Sequence, residues 1–145
     1  ELFYHQPEGR GTDIWGALEY LTHVNKRRAY VFLVSDFKAP NFKRPLSVAG
    51  RRHDLIAVRL GDDRETSLPP VGYVEFEDAE TGEFHTVNTA DPRFQAEFAE
   101  RTARVQSEMG RTFRHSRVDV IDIQTDQPYV KPLMLFFKQR EGRLR

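Results

Sequence analysis

The chain begins with a helical apolar pattern that gives way to an extended one. Ile14 and Leu18 recur at helical spacing. Thr12 precedes them as a plausible N-cap, and Asp13 suits the first turn of a helix. The run AYVFLV follows at residues 29–34, and such a continuous β-favouring run is typical of a parallel strand that is buried on both faces. We therefore predict a helix from Thr12 and a buried strand over residues 29–34.

Alternating segments continue beyond this strand. A short helix is predicted over residues 46–51, after a loop bracketed by Pro40 and Pro45. The run DLIAVRL from residue 54 predicts a second buried strand, so the two strands and their helix form a right-handed βαβ unit. Residues 73–88 alternate between polar and apolar positions around an ETG turn, which predicts a β-hairpin.

The last third of the chain predicts a helix, a strand and a helix. Asp91 and Pro92 begin the long helix, whose apolar stripe we expect in the core: Phe94, Phe98, Val105, Met109 and Phe113. The strand VDVIDIQT carries Asp119 and Asp122, and these charges indicate a partly exposed or an edge position. A final helix is expected to begin around residues 126–128.

This order of elements predicts an α/β, three-layer fold. It contains a mostly parallel sheet of at least three strands, flanking helices and an inserted β-hairpin. Residues 1–145 are expected to form a single domain, since this length suffices for one core. Doubly wound sheets usually begin with a strand, whereas this chain begins with a helix and lacks an initial Met. We therefore expect further strands before Glu1.

Composition excludes several functional classes. The chain has 22 basic and 22 acidic residues, so no net charge attracts it to nucleic acid or to a membrane surface. It has no cysteine, which excludes disulfides, thiolate nucleophiles and Cys-ligated metal sites. The apolar runs fall far short of the roughly 20 residues that a membrane-spanning helix needs, and the N-terminus lacks a signal-peptide pattern. We therefore expect a cytoplasmic protein with no nucleic-acid and no membrane partner.

Two oxygen-bearing side chains stand at junctions between a strand and a helix. Asp36 follows the strand of residues 29–34, at the carboxyl end where open parallel sheets bind ligands. Thr12 lies at the start of a helix that enters the same layer. A hydroxyl and a carboxylate are the hard oxygen donors that Mg²⁺ prefers. Each has a structural explanation as well, since Thr commonly caps helices and Asp commonly follows strands in turns.

Several motifs resemble one family in their order along the chain. Seven motifs, in their order along the chain, are similar to the C-terminal half of bacterial proteins with a "domain of unknown function 58". They are GTDI, ALEYL, RRAYVFLVSDF, RHDLIAVRLGDDRE, LPPVGYVEFEDAETGE, TADPR and VDVIDIQTDQPYVKPLMLFF. The resemblance covers nearly all of the chain. It implies half of a von Willebrand factor A-like domain, and hence a partial von Willebrand A-like or Rossmann-like sheet.

The resemblance also implies a metal-ion-dependent adhesion site. Thr12 would be its threonine and Asp36 its loop aspartate, which makes both of them metal ligands. The Asp-x-Ser-x-Ser loop of such sites is absent from this chain and would precede Glu1. We therefore expect Mg²⁺ in an intact protein and no metal held by this chain alone. The family resemblance further implies a MoxR-type AAA+ ATPase as a protein partner.

Two hypotheses about function remain open at this stage. The first is a non-enzymatic protein-interaction module that binds its partner at the carboxyl edge of the sheet. The second is a metal-dependent hydrolase, a phosphatase or nuclease on an α/β scaffold. No catalytic residue is predicted, because His53 and Asp54 are adjacent on a strand and point to opposite faces. The strand of residues 29–34 would also lack its usual neighbour, so we expect a homodimer through this edge unless residues 1–6, ELFYHQ, cover it.

Overall fold

The computed structural model describes residues 11–78 and 81–143, so residues 1–6 lie outside the described part. Helices and strands alternate along the chain in this order: α1 (Ile14–Val24), β1 (Tyr30–Ser35), α2 (Lys43–Arg52), β2 (Asp54–Gly61), a 3-10 turn (Asp63–Glu65), β3 (Tyr73–Glu77), β4 (Phe84–Asn88), α3 (Pro92–Ser116), β5 (Asp119–Gln124) and α4 (Val130–Arg143). The predicted α/β class with a parallel sheet and a hairpin is confirmed.

The main sheet has three parallel strands in the order β1-β2-β5. In register, Phe32 of β1 lies beside Ile56 of β2, and Ile56 lies beside Asp119 of β5. The edge position predicted for the last strand is confirmed. A separate antiparallel hairpin is formed by β3 and β4. Its base is tied to α3, because the Gln95 side chain donates to the carbonyl of Leu68 at 2.9 Å and to that of Thr89 at 2.7 Å.

The sheet separates two apolar clusters of unequal size. The larger one packs helices α1, α2 and α3 on one face, with Leu18, Leu46 and Phe113 against Leu55 and Ala57 of β2. The smaller one packs α4 on the other face, against Ile56, Val58 and Ile121. The three-layer arrangement follows from strands that are apolar on both sides.

The prediction that β1 is buried on both faces is wrong. Its residues alternate strictly between exposed and half-buried positions. The face with Val31 and Leu33 packs on the larger cluster, whereas the face with Tyr30, Phe32 and Val34 is exposed. The physical reason is that the smaller cluster formed with α4 is centred on β2 and β5 and leaves β1 largely uncovered.

Two helix starts also differ from the prediction. Helix α2 begins at Lys43 rather than at residue 46, and Pro45 lies within its first turn, where a missing N–H costs nothing. Helix α4 begins at Val130, two residues after Pro128. The long helix α3 begins as predicted, with Asp91 as N-cap and Pro92 in the first turn.

Candidate functional site

A cleft of about 600 Å³ lies at the carboxyl end of the parallel sheet. Its floor includes Asp36 after β1, Gly61 at the end of β2 and Gln124 at the end of β5. One wall is the exposed side of α3, with Arg101 and Gln106. This is the position at which open parallel sheets bind ligands.

Asp36 presents its carboxylate to this cleft through a strained turn. The next residue, Phe37, has a left-handed backbone with φ of 58° and is 1% exposed in the larger apolar cluster. The ring of Phe37 packs edge-on against that of Phe113 at 5.0 Å, which anchors the turn. Asp36 Oδ1 accepts weak hydrogen bonds from the Lys38 N–H at 3.3 Å and from the Ser35 hydroxyl at 3.4 Å. The carboxylate is therefore fixed, yet it remains exposed at the mouth of the cleft.

Thr12 is exposed and does not cap helix α1, so the predicted N-cap is wrong. Asp13 takes this role, since its Oδ1 accepts the Gly16 N–H at 2.8 Å. Thr12 is not among the residues that line the cleft with Asp36. The Thr12 hydroxyl is not used in capping.

These two residues offer oxygen donors of the kind that Mg²⁺ accepts, but only part of a coordination shell. Mg²⁺ takes six ligands in near-octahedral geometry and commonly keeps several waters. Within residues 11–78 and 81–143, no group of three or more His, Cys, Asp or Glu side chains could hold a metal ion. A cation held by Thr12 and Asp36 would need further ligands beyond these two side chains.

Other polar residues of the cleft were not predicted from the sequence. Asp62 follows β2 as Asp36 follows β1, and its Oδ1 accepts the Arg64 N–H at 2.8 Å. Arg59 Nε donates to Asp122 Oδ1 at 2.5 Å across the β2–β5 pair. The rule that identified Asp36, an acidic residue at the end of a buried strand, also selects Asp62. The Arg59–Asp122 pair depends on the register between β2 and β5, so no short stretch of sequence predicts it.

His53 lies away from the cleft. It is 2% exposed and directly precedes β2, at the opposite end of the sheet. The carboxylate of Asp54 faces Arg140 instead, as expected for adjacent strand residues that point to opposite faces. This arrangement gives His53 no access to a ligand in the cleft.

The sequence pattern of the family described as "Protein of unknown function DUF58" matches residues 1–108. The chain belongs to this family. This confirms the resemblance found in the order of its motifs. Among the described residues, no helix combines the length and the apolar character needed to cross a membrane.

Relatives within mycobacteria carry no functional description. The chain is 31% identical over 135 residues to the uncharacterised protein MAV169 of Mycobacterium avium, covering 92% of this chain and 79% of that protein. It is 30% identical over 135 residues to the uncharacterised proteins Mb1516 of Mycobacterium bovis and Rv1480 of Mycobacterium tuberculosis. The chain spans 42% of the length of these two relatives. No solved structure matches it significantly.

Proposed function

We propose that the chain is a non-enzymatic protein-interaction module that contacts its partner at the carboxyl edge of the parallel sheet. The observation that carries the proposal is the Asp36 carboxylate. It is exposed at the mouth of the cleft, and it forms no ion pair within the described residues. Such a carboxylate can accept a cation or a cationic side chain without first breaking an ion pair.

A divalent cation would join the two proteins in this proposal. Asp36 and Thr12 supply two oxygen donors, an Asp-x-Ser-x-Ser loop in an intact family protein supplies others, and a partner carboxylate completes the shell. Because Asp36 is the one charged donor of this pair and Mg²⁺ gives up its hydration water reluctantly, we expect weak or no Mg²⁺ binding to this chain alone. The von Willebrand A-like character of the domain, and a MoxR-type AAA+ ATPase as partner, are part of the proposal and rest on the family resemblance.

Biolayer interferometry tests the proposal. A MoxR-type ATPase is immobilised, and the analyte is a family protein that contains both the Asp-x-Ser-x-Ser loop and the region that corresponds to this chain. The measurements are made without nucleotide, because nucleotides carry their own Mg²⁺. We expect binding with Mg²⁺ and its loss in EDTA. Asp36→Asn and Thr12→Val should each weaken the Mg²⁺-dependent binding about tenfold or more, since each removes one oxygen donor.

The matched control is Asp63→Asn. Asp63 is also an exposed aspartate near the carboxyl end of β2, but it does not line the cleft. Its substitution should leave binding unchanged. Equal binding by wild type and Asp36→Asn would contradict the proposal.

The rival function, a metal-dependent phosphatase or nuclease, has one supporting observation. Asp36 and Asp62 both line the cleft, and hydrolases that use metal ions need clustered carboxylates. Hydrolysis of p-nitrophenyl phosphate or of single-stranded DNA with Mg²⁺ separates the two functions. Hydrolysis by the wild type that is lost in Asp36→Ala would show that the chain is an enzyme rather than an interaction module.

A further inference from the structure

Strand β5 forms the edge of the parallel sheet opposite to β1. It pairs with β2 on one side, and no residue of the described ranges 11–78 and 81–143 pairs with its other side. Helices α3 and α4 flank this edge, because α3 packs on the face that carries Val120 and α4 packs on the face that carries Ile121. The edge of β5 therefore lies in a groove between two helices.

This β5 groove has a volume of about 680 Å³. One wall belongs to α3 and includes Gly110 and Arg114, and the other belongs to α4 and includes Arg140. Its floor includes Val120 and Asp122 of β5. Because neighbouring strands lie only about 4.8 Å apart, a groove of this size between two helices has room for one more extended segment.

Backbone groups of β5 that β2 does not use point into the groove. The Thr125 N–H donates to the Gly61 carbonyl at 3.0 Å, so the backbone of Thr125 faces β2. Because backbone groups alternate along a strand, the N–H and C=O groups of Val120 and Asp122 face away from β2. Both of these residues line the groove. A strand added at this edge would therefore find four backbone groups ready to form hydrogen bonds.

The end of the groove beside the start of β5 has an excess of positive charge. Arg114 of α3 is exposed and forms no ion pair within the described residues. Nη1 of Arg140 on α4 is buried without a hydrogen-bond partner there, and it lies 3.9 Å from Oδ2 of Asp119. Two guanidinium groups thus line this end together with one carboxylate, whereas Asp122 at the other end pairs with Arg59. The first end can accept a further carboxylate.

Gly110 leaves space in the α3 wall beside this cationic end. It lies inside a 25-residue helix, where glycine is less favourable than alanine. Close packing does not require a glycine here. Outside the adjacent residues and the backbone of its own helix, a Cβ atom would meet only Nη1 of Arg114, at 3.4 Å. The missing side chain therefore widens the groove next to an arginine that has no ion pair.

We propose that the groove binds an extended segment of a partner protein, which adds to β5 as one more strand and places an Asp or Glu side chain beside Arg114 and Arg140. The backbone groups of Val120 and Asp122 supply affinity, and the two guanidinium groups select an acidic segment. A second copy of the chain is a poorer occupant. Pairing of β5 with β5 would place two Asp119 and two Asp122 side chains on neighbouring strands, where like charges repel.

Selection from a phage-displayed library of random nonapeptides, with the immobilised chain as bait, tests the proposal. We expect peptides that combine β-branched residues with an acidic residue. Fluorescence polarisation then measures the affinity of the synthetic peptides. Arg114→Gln should lower this affinity about tenfold or more, because it removes a charged hydrogen-bond donor. The control is Arg104→Gln, an exposed arginine of the same helix that does not line the groove, and it should leave the affinity unchanged. A library that yields no peptide with this dependence on Arg114 would overturn the proposal.

Backbone methylation of the peptide tests strand addition itself. Alternate N–H groups of an added strand face β5, so N-methyl groups on one alternate set should abolish binding, whereas those on the other set should be tolerated. Equal effects of the two sets would contradict an added strand. Binding should also slow hydrogen exchange at the amides of Val120 and Asp122 far more than at those of Ile121 and Ile123, which face β2.

Gly110→Ala separates binding in the groove from effects on folding. It should raise the melting temperature, because alanine favours the helix, and it should lower the affinity for the peptide, because its methyl group takes up space beside Arg114. An unchanged affinity would place the peptide outside the groove and overturn the proposal. So would a dimer of the free chain that the peptide dissociates, since a second copy would then occupy the edge.

This site and the cation-dependent contact proposed at Asp36 can fail separately. No step of peptide binding to β5 uses a metal ion, so the selected peptide should bind equally well in EDTA and to Asp36→Asn. Peptide binding that requires Mg²⁺ or the Asp36 carboxylate would assign the peptide to the cleft at the carboxyl end of the sheet and would contradict a site on β5.

Discussion

The guanidinium of Arg140, near the end of α4, donates a hydrogen bond to the carboxylate of Asp54 at the start of β2, 86 residues earlier. Nη1 of Arg140 also lies 3.9 Å from Oδ2 of Asp119 on β5. The rings of Tyr30 on β1 and Phe136 on α4 lie 5.8 Å from the guanidinium carbon. One cation thus connects α4 to the amino ends of all three parallel strands.

We predict that Arg140→Gln lowers the free energy of unfolding by about 1.5–3 kcal/mol, the usual range for a hydrogen bond to a charged group. The side chains of Arg140 and Asp54 are only 23% and 22% exposed, so the Asp54 carboxylate would lose its partner in a poorly solvated position. Urea denaturation measures the change. The hydrogen bond that Arg140 donates to Asp54 raises the pKa of Arg140 above its ordinary value, so the guanidinium stays charged and this contribution persists between pH 7 and pH 10. The loss should therefore be the same at pH 7 and at pH 10.

Lys38→Gln is the matched control for this prediction. Lys38 Nζ pairs with Glu65 Oε1 at 2.7 Å, but the two side chains are 60% and 45% exposed. Exposed ion pairs contribute little because water and salt screen them, so we expect a loss below about 1 kcal/mol. An equal loss in both variants would show that Arg140 acts as an ordinary surface residue.

The buried imidazole of His53 gives a second prediction. Neither ring nitrogen has a hydrogen-bond partner within the described residues, and an unpaired buried polar group costs about 1–3 kcal/mol. His53→Leu, which has a similar volume, should therefore raise the free energy of unfolding by about 1 kcal/mol. Chemical denaturation checks this, with the exposed His85→Leu as a control that should change little. A clear loss of stability in His53→Leu would indicate that the imidazole has a hydrogen-bond partner, such as a buried water.

The location of β1 could be predicted from the sequence, but its surroundings could not. A run such as AYVFLV has apolar side chains on both faces, and this pattern predicts burial wherever neighbours exist to cover it. Whether Tyr30, Phe32 and Val34 are covered depends on the position of α4, whose contacts with the sheet are centred on Ile56 and Ile121. That placement is set by tertiary packing and has no signal within β1 itself.

The same limit applies to the long helix α3. Its predicted apolar stripe is correct in spacing, yet only Phe113 is fully buried, while Val105 is 53% exposed. The 25-residue helix packs on the larger cluster through its C-terminal part, and Val105 and Phe98 line the cleft instead. Periodicity predicts which residues share a face, but it does not predict how much of that face meets the core.

The candidate site was predictable only where a local rule applied. Asp36 was found because acidic residues at the carboxyl ends of parallel strands lie where ligands bind. The sequence could not show that Asp13 rather than Thr12 is the N-cap of α1. Both residue types cap helices, and the local backbone geometry selects one of them. The walls of the cleft come from α3, far along the chain, and therefore require the assembled fold.

Substitution by alanine at two helical glycines should change the free energy of unfolding in opposite directions. A Cβ atom on Gly50 of α2 would lie 2.6 Å from the Ser116 carbonyl oxygen and 2.9 Å from a methyl of Val118, so α2 and α3 pack too closely for a side chain. We expect Gly50→Ala to lower the free energy of unfolding by about 1–3 kcal/mol, the cost of overpacking. At Gly142 of α4, a Cβ atom would meet no described atom within 4 Å outside the adjacent residues and the backbone of its own helix. Gly142→Ala should instead raise the free energy of unfolding by up to about 1 kcal/mol, because alanine favours the helix. Thermal and urea denaturation of both variants measure the contrast, and changes of the same sign would contradict the close contact between α2 and the end of α3.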